Sequence, residues 1–351
     1  MSKKVTLQDI AELTGVTTAS VSMILSGKNV SRFTPELISR VRATAEKLGY
    51  ISPTARSERK QIAIISPSVN NPYHTTIIMG IERAAVAHNY ITMIYNTYWN
   101  PNTELNILNQ LYRRNIAGII YVMNPLQVER AREINEHIPI VAVGDIVSHL
   151  GIDTVDINNF SAGCLVAEHL ISLGHRKIAY LSTSLNDDHI ARVRRCDGLQ
   201  ESYRRLCPEG SVSVYCKDIN YEQELQSPDI ELDAGRELAL ECMKRPDITA
   251  IVAINDMVCY GVLDALEEKG FRVPEDYSLC GFDNIFPSGL SRMQLTTLDN
   301  STVYHGGRAF HLLEEKMERN KEPAIAYPIT RVEYRSRLII RGSTAEPRKQ
   351  P

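Results

Sequence analysis

Val5 to Gly27, VTLQDIAELTGVTTASVSMILSG, puts apolar side chains at Leu7, Ile10, Ala11 and Leu13, then again at Val16, Val21, Ile24 and Leu25. That is helical spacing, broken once at Gly15-Val16-Thr17. Thr6 is placed to cap the first helix, with Asp9 in its first turn, and Thr17 to cap the second. Two short amphipathic helices around a small turn form a helix-turn-helix, whose second helix fits the DNA major groove. Amphipathic pairs also occur in helical domains that touch no nucleic acid. Further out, Thr34-Pro35-Glu36 opens a third helix with a cap and an N1 proline, and it runs through Leu37, Val41 and Ala45 to Tyr50.

Charge favours the DNA-binding alternative. Residues 1–60 hold ten Lys and Arg against five acids, a balance of +5, whereas the whole 351-residue chain carries −3 and the remainder therefore −8. A small basic head on a larger acidic body points the head toward a polyanion. The start, MSKKVTLQD, lacks the apolar core of a signal peptide, and no apolar run is long enough to cross a bilayer. A cytoplasmic protein that does not enter membranes is expected. Seven scattered cysteines without a CxxC pair read as reduced core residues, and the histidines show no metal-ligand spacing, so neither a metal nor another cofactor is expected.

After a polar, basic linker, ISPTARSERKQ (51–61), apolar runs alternate with amphipathic helices. Strands are expected at 62–66, 90–96, 118–123 and 139–144, with helices at 75–88, 103–114 and 128–137 between them. A second set follows: strands at 177–182, 212–216, 249–254 and 277–282, helices at 161–174, 190–205, 235–245 and 256–270. Such alternation builds parallel sheets covered by helices on both faces, here in two similar halves.

The sequence resembles the lactose-repressor (LacI/GalR) family. The likeness begins in the stretch quoted above and in VSRFTPELISRVRATAEKLGY (30–50), and continues through NPYH (71–74), EHLISLGHRKIAYL (168–181), IND (254–256), RVPEDYSLCGFDN (272–284), LTTLDN (295–300) and RLIIRGST (337–344). It implies a helix-turn-helix headpiece (1–50), a hinge (51–61) and a two-lobed periplasmic-binding-protein-like α/β core (62–343) that binds an effector and dimerises, followed by a polar tail (344–351). Lobe one would take about 62–158 and 294–322, and lobe two about 159–293 and 323–343. The partners implied are an operator in double-stranded DNA, a small-molecule effector and a second copy of the chain.

By the same resemblance, Thr18, Ala19 and Met23 face bases, while Thr6, Thr17, Ser22, Asn29 and Ser31 contact the DNA backbone. For Thr17 a helix cap and a phosphate contact are compatible. Methionine at 23 has no donor and can only pack on an apolar edge such as a thymine methyl. In the hinge, the family pattern A-R-S-L inserts its leucine into a minor-groove step. This chain has Ala55-Arg56-Ser57-Glu58 in a shorter linker, so Arg56 is left to contact phosphate and an acid stands in the wedge position.

Ligands of two-lobed α/β proteins sit outside the carboxyl ends of the strands. The loops there offer Asn71, Tyr73, His74, Tyr98, Trp99, Asp145, His189, Arg195, Asn255 and Asp283. The resemblance points most firmly to Arg195, Asn255 and Asp283. Carboxylates, amides and a guanidinium beside an aromatic face suit a polyhydroxylated ligand, and a carbohydrate is favoured over a nucleobase that would use similar groups. Trp99 reads either as a cleft wall or as a surface or dimer-face residue, His189 as a cleft or loop histidine, and Asp283 as a ligand group or a turn cap. A ligand-controlled transcriptional regulator, expected to act as a repressor, is the leading reading. A transport-type binding protein is the alternative. An enzyme is disfavoured, since there is no GxGxxG after a strand, no phosphate-binding GxxxxGK[ST] and no GxSxG elbow.

Overall fold

Thr6 opens the head with a reciprocal cap. Its hydroxyl accepts the Asp9 N–H at 3.3 Å, and the Asp9 carboxylate accepts the Thr6 N–H at 2.7 Å. Helix α1 (Leu7–Thr14) ends at Gly15, whose φ of 69° is left-handed and suits glycine. Thr17 then starts α2 (Thr18–Leu25) by accepting the Ser20 N–H at 3.2 Å. Helix α3 (Pro35–Lys47) closes the bundle, and Ile10, Ala11, Val21, Ile24, Val41 and Ala45 form its core. This computed structural model describes residues 6–25, 30–48, 60–114, 116–144, 150–319 and 328–348. The hinge residues Arg56 and Glu58, together with Asn29 and Asp145, lie outside the described residues.

The body holds two parallel sheets. The first is built from Lys60–Ser66 (β1), Tyr90–Asn96 (β2), Gly118–Tyr121 (β3), Ile140–Gly144 (β4), Asp153–Ile157 (β5) and Arg331–Tyr334 (β11), in the order β11-β5-β4-β3-β1-β2. The second is built from Lys177–Thr183 (β6), Ser211–Lys217 (β7), Ala250–Ala253 (β8) and Ser278–Cys280 (β9), in the order β7-β6-β8-β9. Between them in sequence lie helices α4 (Pro72–Ala87), α5 (Pro101–Tyr112), α6 (Val128–Asn135), α7 (Asn159–Leu173), α8 (Ile190–Leu206), α9 (Tyr221–Gln226), α10 (Ile230–Cys242) and α11 (Asp256–Glu268). Helix α12 (Thr302–Arg319) returns to lobe one and packs on α4.

The lobe boundaries differ from expectation in the last crossings. The resemblance places residues 323–343 in lobe two, yet β11 pairs in parallel with β5 of lobe one, Val332 opposite Val155. Its sequence RVEY alternates between exposed and half-buried, as an edge strand requires. The resemblance places residues 294–322 in lobe one, yet β10 (Thr297–Asp299) pairs antiparallel with β12 (Arg337–Ile339), and Thr296 bridges to Cys280 of lobe two. The 344–351 tail is not loose over its described part. His175 meets the Ala345 carbonyl at 2.9 Å, and the Arg348 guanidinium lies 4.4 Å over Tyr277.

Three helix pairs cross on reciprocal glycines. A Cβ on Gly80 would collide with the Val303 carbonyl, and one on Gly306 with that of Ile77, where α4 meets α12. Gly163 and Gly198 repeat this between α7 and α8 against the carbonyls of Arg195 and Phe160, and Gly235 and Gly261 between α10 and α11 against those of Val258 and Leu232. Backbones this close leave no room for a side chain. The α7–α8 crossing fixes the turn of helix that carries Arg195.

Candidate ligand cleft and DNA-facing surface

A cavity of about 160 Å³ lies at the carboxyl ends of the strands and takes its lining from both lobes. Tyr73, His74, Trp99, His189, Arg195, Asn255 and Asp283 all line it, as does Asn71. Tyr98 is not part of the lining; its ring stands 6.4 Å from that of Tyr221. Trp99 is a cleft wall, its ring 4.4 Å from that of His189. The turn presenting it holds Tyr98 and Trp99 at φ of 51° and 56°, a strained region for side-chain-bearing residues, secured by Tyr98 N–H donating to the Pro67 carbonyl at 2.7 Å.

Arg195 organises lobe two. From α8 its Nε donates to Asn159 Oδ1 at 2.8 Å and its Nη1 to the Ile254 carbonyl at 2.6 Å. Its Nη2 stands 3.9 Å from Asp283 Oδ1, and the guanidinium covers the Phe282 ring at 4.7 Å. Asp283 is only 6% exposed, and burial raises its pKa to about 8 although the Arg195 charge opposes this. Behind it, the buried Asp256 carboxylate gathers the N–H groups of Phe282 and Ile285 and the Thr297 hydroxyl, and so fixes the loop after β9. Asn255 caps α11 by accepting the Val258 N–H at 2.9 Å.

Glu231, at the start of α10, joins the lobes. It accepts Asn255 Nδ2 at 2.9 Å on one oxygen and Asn71 Nδ2, from lobe one, at 2.8 Å on the other. Arg192 approaches Glu231 at 3.9 Å and lies 5.7 Å over the Trp99 ring. His74 meets the Ser68 carbonyl at 3.0 Å, and burial lowers its pKa to about 4. Burial, then the Arg192 charge, lowers that of His189 to about 3. Both are neutral at pH 7.

Reading strand-end loops alone misses Glu231, Arg192, Asn159 and Glu224. Arg192 has a signal, because it precedes Arg195 by one helical turn and shares its face. Glu224 and Glu231 ride on α9 and α10, and α9 begins so soon after β7 that the strand-end rule could have reached Glu224 had that loop been read.

On the head, Val21 and Ile24 of α2 point inward, while Thr18, Ala19 and Ser22 are exposed and Met23 is half-buried. Thr6, Thr17 and Ser31 are exposed as well, the first two also serving as caps.

Two parallel α/β lobes enclosing a polar cleft, preceded in the chain by a three-helix head, define a ligand-binding regulator of periplasmic-binding-protein type. Residues 59–337 match the family described as periplasmic binding proteins and sugar binding domain of LacI family. The chain belongs to the LacI/GalR family of transcriptional regulators. It is 29% identical over 321 residues to the HTH-type transcriptional repressor PurR of Mannheimia succiniciproducens, covering 89% of this chain and 92% of that one. A LacI-family regulator from Silicibacter pomeroyi has the same fold, with a TM-score of 0.80 at 24% identity over 97% of this chain and 99% of that one. Another from Enterococcus faecium, crystallised with bound ribose, gives 0.68 at 24% identity over 82% and 99%.

Proposed function

We propose that the protein is a cytoplasmic transcriptional repressor that binds operator DNA as a homodimer, with its affinity set by a small polyhydroxylated ligand in the cleft. The observation that carries this reading is the cavity itself: a cleft where Arg195, Asp283 and Asn255 meet Trp99, Tyr73 and His74 from the other lobe. Hydroxyls find acceptors and donors there, and the indole face covers C–H surface. The ribose held by the Enterococcus faecium regulator supports a carbohydrate as ligand class. Thr18, Ala19 and Met23 read bases, and Thr6, Thr17, Ser22, Asn29, Ser31 and Arg56 hold the backbone. Asp145 joins the ligand contacts.

Fluorescence anisotropy of the full-length protein on operators selected from random DNA tests the DNA half. Affinity should fall about a thousandfold or more between roughly 50 and 200 mM salt as Lys and Arg release counterions from phosphate. Binding that ignores salt over that range would remove the basic head as the DNA surface. Met23→Arg should change the selected consensus by adding a guanine-reading fork, whereas Ser22→Ala should weaken all sequences alike. An unaltered Met23→Arg consensus would take Met23 off the base-reading face. A thermal-shift screen of sugars and nucleobases on the same protein tests the ligand half.

A further inference from the structure

Among the described residues, one carboxyl in the cleft has no counter-ion of its own. Inside the rim the lining carries Arg192, Arg195, Glu224, Glu231 and Asp283. Arg195 pairs with Asp283 and Arg192 with Glu231, each at 3.9 Å. Glu231 is further satisfied by Asn71 and Asn255. Asp188, also in the lining, is exposed at the edge and screened by water. Glu224, half-buried on α9, makes no ion pair or side-chain hydrogen bond with any other described residue. The charges acting on it are Glu231, which repels it, and Arg192, which Glu231 already engages. His74 and His189, being neutral, supply no cation.

We propose that the cleft selects a ligand carrying one protonated amine on a single polar ring, an amino sugar by class, and that Glu224 is the residue that recognises the ammonium. This rests on the reading of the cleft as the effector site and adds the charge of the effector to it. A carboxylate that a bound ligand covers without pairing is costly, and a ligand whose ammonium comes to hydrogen-bond distance removes that cost. A neutral sugar leaves Glu224 uncompensated. A phosphate or other anion seated at Glu224 would meet like charge from it and from Glu231. In the empty cleft, burial and the neighbouring Glu231 raise the Glu224 pKa to about 7, so the group is partly protonated until a cation arrives. Size suits a ligand of about one ring: the cavity of about 160 Å³ is close to the roughly 150 Å³ engineered space that holds benzene.

The test uses the full-length protein at pH 7 and matched probes: glucosamine, galactosamine and mannosamine, the parent glucose, galactose and mannose, and glucose 6-phosphate. Calorimetry should find at least one amine bound on the order of tenfold or more tightly than its neutral parent. Glu224→Gln, which keeps size and removes charge, should erase that preference, so that the amine and its parent sugar bind alike. Repeating the titration in buffers of different ionisation enthalpy should reveal proton release on amine binding to the wild type and none with Glu224→Gln. A neutral or phosphorylated probe that matches or exceeds its amine counterpart would overturn the amine assignment and leave the cleft as an effector site. Retention of both the preference and the proton release by Glu224→Gln would overturn the assignment to Glu224 in the same way. No heat and no thermal shift with any probe, nor with the wider sugar and nucleobase screen, would overturn the effector-site reading and this inference with it.

Discussion

Gly306→Ala is expected to lower the stability of the protein by about 3 kcal/mol or more, while Gly307→Ala, one residue along the same helix, raises it by up to about 1 kcal/mol. The methyl at 306 would be driven into the Ile77 carbonyl, and main chain cannot swing aside as a flexible side-chain end can. At 307 the new Cβ would meet only the Gly80 carbonyl at 3.8 Å, an ordinary contact. There the substitution mainly reduces the freedom of the unfolded chain and improves helix propensity. Urea unfolding followed by circular dichroism, with both variants at one protein concentration, measures the pair. Equal midpoints for the two would mean that the α4–α12 crossing has room the geometry denies. Gly198→Ala should behave like Gly306→Ala and also weaken ligand binding, because its methyl wedges α7 from α8 and displaces Arg195.

How much of the fold and the cleft is legible in the chain follows from the range of each interaction. Period-two and period-3.6 patterns are local, and they place most strands and helices of the body to within a few residues, but not α9, β11 or β12. Strand β5 escapes because GIDTVDI sets Asp153 and Asp156 inside an apolar run. Both are buried, and Asp153 is tolerated because Lys316 of α12 reaches it at 3.0 Å and the Thr330 N–H donates to it. Those partners lie far along the chain, where no window of sequence can see them. The exchange of β10 and β11 between lobes has the same cause, since pairing is decided by which sheet edge is open. In the cleft, the strand-end rule collects residues that do line one cavity. It also collects Tyr98, which is not in the lining, and it cannot show that Arg195 is committed to Asn159 and Ile254, nor that Glu231 ties Asn71 to Asn255. The glycine crossings are visible as glycines inside helical runs, a pattern that marks close packing without naming the partner helix.

Arg195→Ala is expected to cost about 3–5 kcal/mol of stability in the ligand-free protein and to abolish the ligand response, while operator binding in the folded fraction persists. Ligand groups that only touch solvent in the empty cleft can be truncated cheaply. Arg195 differs because it is buried and joins α7, the end of β8 and the loop after β9. Removing it strands Asn159 and the Ile254 carbonyl without their donor and leaves Asp283 buried without its cation. The Asp283 carboxyl, already raised to about 8, should then rise further. The sign of the pH effect follows. A carboxyl whose folded pKa exceeds its unfolded value of about 3.9 binds more protons when folded, so its contribution falls as pH rises from about 4 toward the folded pKa. In wild type that decline should run to about pH 8, and in Arg195→Ala it should continue to higher pH. Arg195→Lys should recover the charge near Asp283 but not the fork that serves Asn159 and Ile254 together, so stability returns only in part and ligand affinity stays low. Urea midpoints across pH 5 to 9 for the three proteins, with calorimetry using a ligand found by the screen, decide the matter. Wild-type affinity in Arg195→Ala would show that the guanidinium is only a structural tie, and an unchanged pH profile would show that Asp283 is compensated from elsewhere.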